Sequence, residues 1–191
     1  RVARRPRRLR AVVDAVGAPR TSARLLDRPA AFLRRTLDLE LMPRLTAARH
    51  LLPLLGENEG QGRYLLIGGP HAKQGWAGYG HASVSEAAMR MLARVLHEEA
   101  LPLGVHVHLL SVDAPVWTPE NAASACAGWP SALAVGRNAL ALLGRDGPPP
   151  PPVVPYSARH AMPPGRMLAC DFADALPGIP ACRDAPSRRA P

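Results

Sequence analysis

Apolar positions along this chain follow two rhythms, and the switch between them marks its most structured stretch, Arg63 to Thr118. Tyr64, Leu65, Leu66 and Ile67 run without a polar break and stop at Gly68-Gly69-Pro70, the pattern of a buried parallel strand. A loop rich in glycine and aromatics follows, from His71 to His81. Ser85-Glu86 then opens a run in which Ala88, Leu92, Val95 and Leu96 share one face while Arg90, Arg94, His97 and Glu98 fall mostly on the other. This predicts an amphipathic helix of about 15 residues, ordinary in length. Pro102 and Gly104 stop it, and Val105, Val107, Leu109 and Leu110 supply a second strand, with His106 and His108 between them. Strand, crossover helix and strand make a βαβ unit, whose right-handed closure requires a parallel sheet.

The flanking segments carry weaker patterns. From Arg1 to Gly17 a basic start gives way to Leu9, Val12, Val13 and Val16 at helical steps, with Gly17 as a stop. Pro19 to Asp27 reads as a connector, and Arg28 to Leu55 as a helical region with a kink or boundary at Pro43. Gly56 to Gly62 is a turn. After the second strand, Ser111 to Pro119 is a loop, and Ala132 to Leu143 is a helix ended by Gly144. Pro148 to Pro152 form a stiff spacer, and Val153-Val154 suit one more short strand. The expected architecture is α/β: a partial Rossmann-like parallel sheet with a βαβ core, flanking helices and a poorly ordered, proline-rich tail. Its expected bounds are a domain over 1–146, a polyproline linker over 147–155 and a largely disordered tail over 156–191.

Composition narrows the class. At 191 residues and 47% hydrophobic the chain can bury one core, while its 22 prolines leave part of it outside any packed layer. No run reaches the roughly 20 apolar residues of a membrane span, and the Arg-rich start lacks the apolar stretch of a signal peptide, which makes a cytoplasmic protein the expectation. Cys126, Cys170 and Cys182 form no CxxC pair, as reduced, incidental thiols would not. The net charge of +9 comes almost wholly from arginine, with Lys73 the only lysine, and aromatics are just 4% of residues. Without an interleaved stacking platform this supports weak, salt-sensitive adhesion to acidic polymers rather than specific nucleic-acid binding.

The run Leu39-Glu40-Leu41 to Pro53, then Gly62-Arg63-Tyr64-Leu65-Leu66-Ile67-Gly68-Gly69, then Ala82 to Glu86 with Ala87-Ala88, then Gly104-Val105-His106-Val107-His108, resembles the short-chain dehydrogenase/reductase family. Ser85-Glu86-Ala87-Ala88 is similar to that family's Ser-Lys-Ala-Ala. The likeness spans Leu37 to Thr118, with a looser echo at Ala3 to Gly17 of the family's second strand and its helix. In that register the family's catalytic Ser falls on Gly69, its Tyr on Ala82, its Lys on Glu86 and its Asn on Glu40. The resemblance implies roles for those four positions: Tyr exchanges a proton with the substrate oxygen, Lys lowers the Tyr pKa and holds the cofactor ribose, Ser orients the carbonyl and Asn supports a water relay. Glycine and alanine have no proton to move. Glu86 inverts the charge and would raise a neighbouring phenol's pKa.

A rival register makes Tyr79 the base, but Ser83 rather than a lysine then follows four residues on. Lys73 lies in the preceding loop. His71, His81, His106 and His108 invite a metal reading, which lacks a third ligand placed by sequence. The family's dinucleotide fold needs a Gly-rich turn after its first strand, but the Gly-x-x-x-Gly-x-Gly spacing of this chain, Gly56 to Gly62, leads into a strand rather than out of one, and Asn-Asn-Ala-Gly does not occur. The expectation is therefore a truncated, degenerate relative with no intact catalytic residue, no cofactor and no metal. It would have a sheet of two or three strands and form homo-oligomers through helices 28–55 and 82–100. A second reading is a working NAD(P)-dependent oxidoreductase that uses Tyr79 or a partner chain's cofactor site. A third is an arginine-mediated binder of acidic polymers.

Overall fold

The computed structural model describes residues 8–18, 20–57, 62–126, 128–145 and 147–156, without the side chains of Glu120 and Ser124. In chain order the elements are β1 (Ala11–Asp14), α1 (Ala30–Glu40), α2 (Met42–Gly56), β2 (Gly62–Gly68), α3 (Gly80–Ala100), β3 (Val105–Ser111), α4 (Ala132–Leu143) and β4 (Val153–Pro155), with short 3-10 turns between some of them. Strands β1 to β4 lie in that order in one sheet, every pair parallel. The fold is the expected α/β with flanking helices. The tail over 157–191, the arginines before Arg8, Cys170 and Cys182 lie outside the described residues.

The continuous apolar strands are covered on both faces, as parallel strands must be. Tyr64 and Leu66 of β2 and Val105, Val107 and Leu109 of β3 pack with Leu52 and Leu55 of α2 and Met89, Ala93 and Leu96 of α3. Leu65 and Leu110 turn the other way, onto Val135 and Ala139 of α4. Ser131 caps α4 by accepting from the Ala134 N–H at 3.1 Å. Gly104, at φ 68°, makes the left-handed turn that sends the chain from α3 into β3. No helix among the described residues is long and apolar enough to cross a membrane.

Four expectations need correction. Residues Leu9 to Val16 are not helical: Ala11–Asp14 is an edge strand beside β2, with the Arg63 N–H donating to the Arg10 carbonyl at 3.1 Å. Two adjacent β-branched residues, Val12 and Val13, favour extended backbone once a neighbouring strand is available, which the helical steps alone do not register. The echo of a second strand and its helix at Ala3 to Gly17 falls with that reading over the described residues. The sheet has four strands rather than two or three, because β1 and β4 extend it at either edge. Finally, α3 begins at Gly80, and its buried line is Ala82, Ser85, Met89, Ala93, Leu96 and Ala100. Val95, expected inward, is exposed with Val84 and Met91. Four of those six residues are small, so the face that sits against the sheet carries little hydrophobic weight in the sequence.

Val153 and Val154 do form the short strand their sequence suggested, so the stretch 147–155 is anchored at its far end, with the Leu109 N–H donating to the Pro152 carbonyl at 2.8 Å. The break expected at Pro43 is real: α1 ends at Glu40 and Pro43 sits in the first turn of α2. The long helical region over residues 28–55 is therefore two helices.

Candidate functional site

A buried chain of charges runs beneath the C-terminal ends of β1 and β2. Glu86, on the inward face of α3, is 1% exposed. One of its oxygens takes an ion pair from Arg20 Nη1 and the other accepts the His71 backbone N–H at 2.7 Å. Arg20 Nε reaches the second buried acid, Glu40 at the end of α1, at 3.4 Å. Arg44 of α2 donates to the carbonyls of Glu40 and Val16 and stands 3.9 Å from Asp14 at the end of β1. Tyr64 completes the series by donating its hydroxyl to Asp14 at 2.9 Å. Burial lowers the Arg44 pKa, and burial together with Asp14 raises that of Tyr64, so the phenol keeps the proton it donates to Asp14.

These contacts account for the residues at the positions in question. A Cβ on Gly69 would stand 3.0 Å from Glu86 Cδ and closer still to Oε1, so the space a side chain at 69 needs is filled by the carboxylate of 86. Ala82 lies one turn before Glu86, fully buried. Glu40, Gly69 and Glu86 thus come together around Arg20, with Ala82 beside them on the same helix. Arg20 is a residue the sequence reading missed; it sits in what looked like a plain connector. The family register, which puts acids at both 40 and 86, was the available signal, since buried carboxylates demand a cation.

Above this layer opens a cleft of about 650 Å³, at the C-terminal end of the sheet where ligands enter open α/β folds. Arg20, Arg44 and Glu86 line it together with the aromatic rings of Trp76, Tyr79 and Trp129. The His71 ring lies 4.4 Å from that of Trp76, edge-on, and is stacked 5.6 Å from that of Tyr79. Tyr79 precedes the first turn of α3, and Ser83, four residues on, accepts the Trp76 N–H and donates to the Tyr79 carbonyl, so it braces the loop. Lys73 is turned away, paired with Asp113 at 2.5 Å.

The histidines divide into two groups. His71 and His81 flank Tyr79, whereas His106 and His108 stack at 6.4 Å on β3, with His97 of α3 5.5 Å from His108. Burial lowers the pKa of His71 and His106 and brings that of His108 down to about 4. Among the described residues no three His, Cys, Asp or Glu side chains gather as a metal-holding group.

No family model and no curated protein matches this chain by sequence. Solved structures do. An NADH-dependent reductase responsible for alginate metabolism superposes with a TM-score of 0.64 at 15% identity, covering 81% of this chain and 66% of its own. A short-chain dehydrogenase/reductase family protein gives 0.54 at 19% identity, covering 65% of this chain and 54% of its own. A halohydrin dehalogenase bound to ethyl (2S)-oxiran-2-ylacetate gives 0.52 at 14%, covering 60% and 51%. The chain therefore has a short-chain dehydrogenase/reductase-like fold, and it spans roughly half to two thirds of the length of these structures.

Proposed function

We propose that this chain is a non-catalytic relative of the proteins whose fold it shares, and that it acts as a dimerising or interaction module. The observation that carries the reading is the layer of Arg20, Glu40 and Glu86: the acids are buried and held by one guanidinium, and Gly69 leaves no side chain beside them. Such an arrangement binds its own charges to each other. It supplies neither a phenol activated by a cation nor a hydroxyl aimed at a carbonyl, the two groups that proton transfer to a ketone would require. The neighbours themselves include a dehalogenase as well as reductases, so the fold does not fix the chemistry.

The interaction half of the proposal rests on surface apolar residues. Val84, Met91 and Val95 lie exposed along α3, and Leu39, Met42 and Leu54 on α1 and α2. The three helices pack against one another, and exposed apolar residues on them suit a second copy of the same chain. The competing reading, an NAD(P)-dependent oxidoreductase, is favoured by one observation: Tyr79 lines the cleft. Turnover decides between them. Purified protein incubated with NADH or NADPH and a panel of ketones and aldehydes is expected to oxidise neither cofactor above background. Reduction that disappears in Tyr79→Phe would overturn the proposal in favour of the oxidoreductase.

A further inference from the structure

The cleft is walled by aromatic rings, and the described part of the chain ends beside it. We propose that its occupant is this chain's own segment 167–176, docked within the same molecule so that Phe172 meets the tryptophans and Asp171 or Asp174 meets Arg20. The inference goes beyond the non-catalytic reading and does not rest on it, since a cleft can be filled by its own chain in either case.

The first argument is place. β4 leads the chain to Tyr156, whose N–H donates to the Ser111 carbonyl at 2.8 Å. Ser111 stands in register with Gly68 of β2, and Gly68 lines the cleft. Tyr156 thus leaves the sheet two strand spacings, about 10 Å, from that glycine. It packs on the same apolar cluster as Ile67 and Val116, which also line the cleft. The ten residues 157–166 that follow can span about 33 Å when extended, well beyond the gap. A tether of that length holds the segment at a roughly millimolar effective concentration, so a weak contact is enough to fill the cleft.

The second argument is chemistry. Trp76 is 39% exposed and Trp129 half-buried, an apolar surface left open to water. Of the charged residues that line the cleft, Arg20 and Arg44 are positive and Glu86 alone is negative. Arg20 is the most exposed of the three, at 29% against 6% for Arg44 and 1% for Glu86, so the cleft presents a cation to what enters it. Its Nη2 has no hydrogen-bond partner among the described residues and can donate to a carboxylate.

The matching occupant is apolar, with a ring and an acid side by side. Beyond Tyr156 one stretch of the sequence has that make-up: Phe172 is the only aromatic residue there, and Asp171 and Asp174 are two of three acids. Segment 167–176 contains no base, although arginines occur on both sides of it. A volume of about 650 Å³ takes a ring with its neighbouring side chains rather than a folded partner.

Photo-cross-linking of the full chain tests the placement. With Phe172→p-benzoylphenylalanine, irradiation should join position 172 to the peptides that carry Trp76, Tyr79 or Trp129. In an equal mixture of unlabelled and heavy-isotope-labelled chains, the joined peptides should both be light or both be heavy. Joining elsewhere, no joining, or mixed products, which mean a second copy's segment in the cleft, would overturn the inference. The charge pairing has its own test. Asp171→Arg combined with Asp174→Arg should raise acrylamide quenching of tryptophan fluorescence at least twofold, with an unchanged far-ultraviolet circular dichroism spectrum. Quenching equal to that of the parent chain would overturn it as well.

Discussion

A carboxylate at position 86 crowds any side chain at position 69. Glu86 leans over the end of β2 into the volume that a Cβ on Gly69 would occupy. Gly69→Ala should therefore cost about 1–3 kcal/mol, the usual range for overpacking. The penalty should shrink when Glu86→Ala is made in the same chain. Urea unfolding of the two single variants and the double one measures that coupling directly. Arg20→Ala is expected to be more damaging to its surroundings, since it strands Glu40 and Glu86 as buried charges. With Arg20 itself partly exposed, the loss should be about 2–3 kcal/mol, below the full value for a wholly buried pair. The family register singled out Glu40, Gly69, Ala82 and Glu86, and in the structure Glu40 and Glu86 share Arg20, with Gly69 against Glu86 and Ala82 one turn before it. Arg20 itself was not singled out, because it pairs across 20 and 66 residues of sequence and no local rhythm connects it to either acid.

At the level of elements, the buried strands and the helices with sharp stops were readable, and edges were not. β2, β3 and α4 followed from apolar runs closed by Gly and Pro, and Gly104 illustrates why such stops are dependable. At φ 68° it holds a conformation that alanine adopts only with strain, so Gly104→Ala should lower stability by about 1 kcal/mol in urea unfolding. β1 was misread because a four-residue edge strand leaves too short a pattern to separate period 2 from helical steps. α3 was misphased because Ala82, Ser85 and Ala93 carry little hydrophobic weight although they are among its most buried residues. β3 also makes stability depend on pH. His108 titrates near 6.5 when unfolded and at about 4 when folded, because burial disfavours its charged form. The unfolded chain therefore takes up the proton first. Its contribution is complete above pH 6.5 and is lost as pH falls toward 4, by up to about 3 kcal/mol. The depressed His71 and His106 act in the same direction. Urea midpoints at pH 7 and pH 5 should differ accordingly, and His108→Phe should narrow that difference.

For the whole molecule, the resemblance found in the residues from Leu37 to Thr118 led to the right fold, and the solved structures that match agree with it. The number of strands was underestimated, since β1 and β4 become recognisable only when their neighbours are in place. The apolar stripe on α3 carries a prediction at this scale. A dimer held by Val84, Met91 and Val95 should sediment unchanged between low and high salt, whereas one held by arginines should dissociate as salt rises. Met91→Glu should yield monomers without loss of fold. The claim on which the account turns is that the charge layer under the cleft has replaced a cofactor-assisted proton-transfer site. Calorimetric titration of the full chain with NADPH tests it most directly. The account predicts no saturable heat up to millimolar nucleotide, and a stoichiometric micromolar isotherm would contradict it.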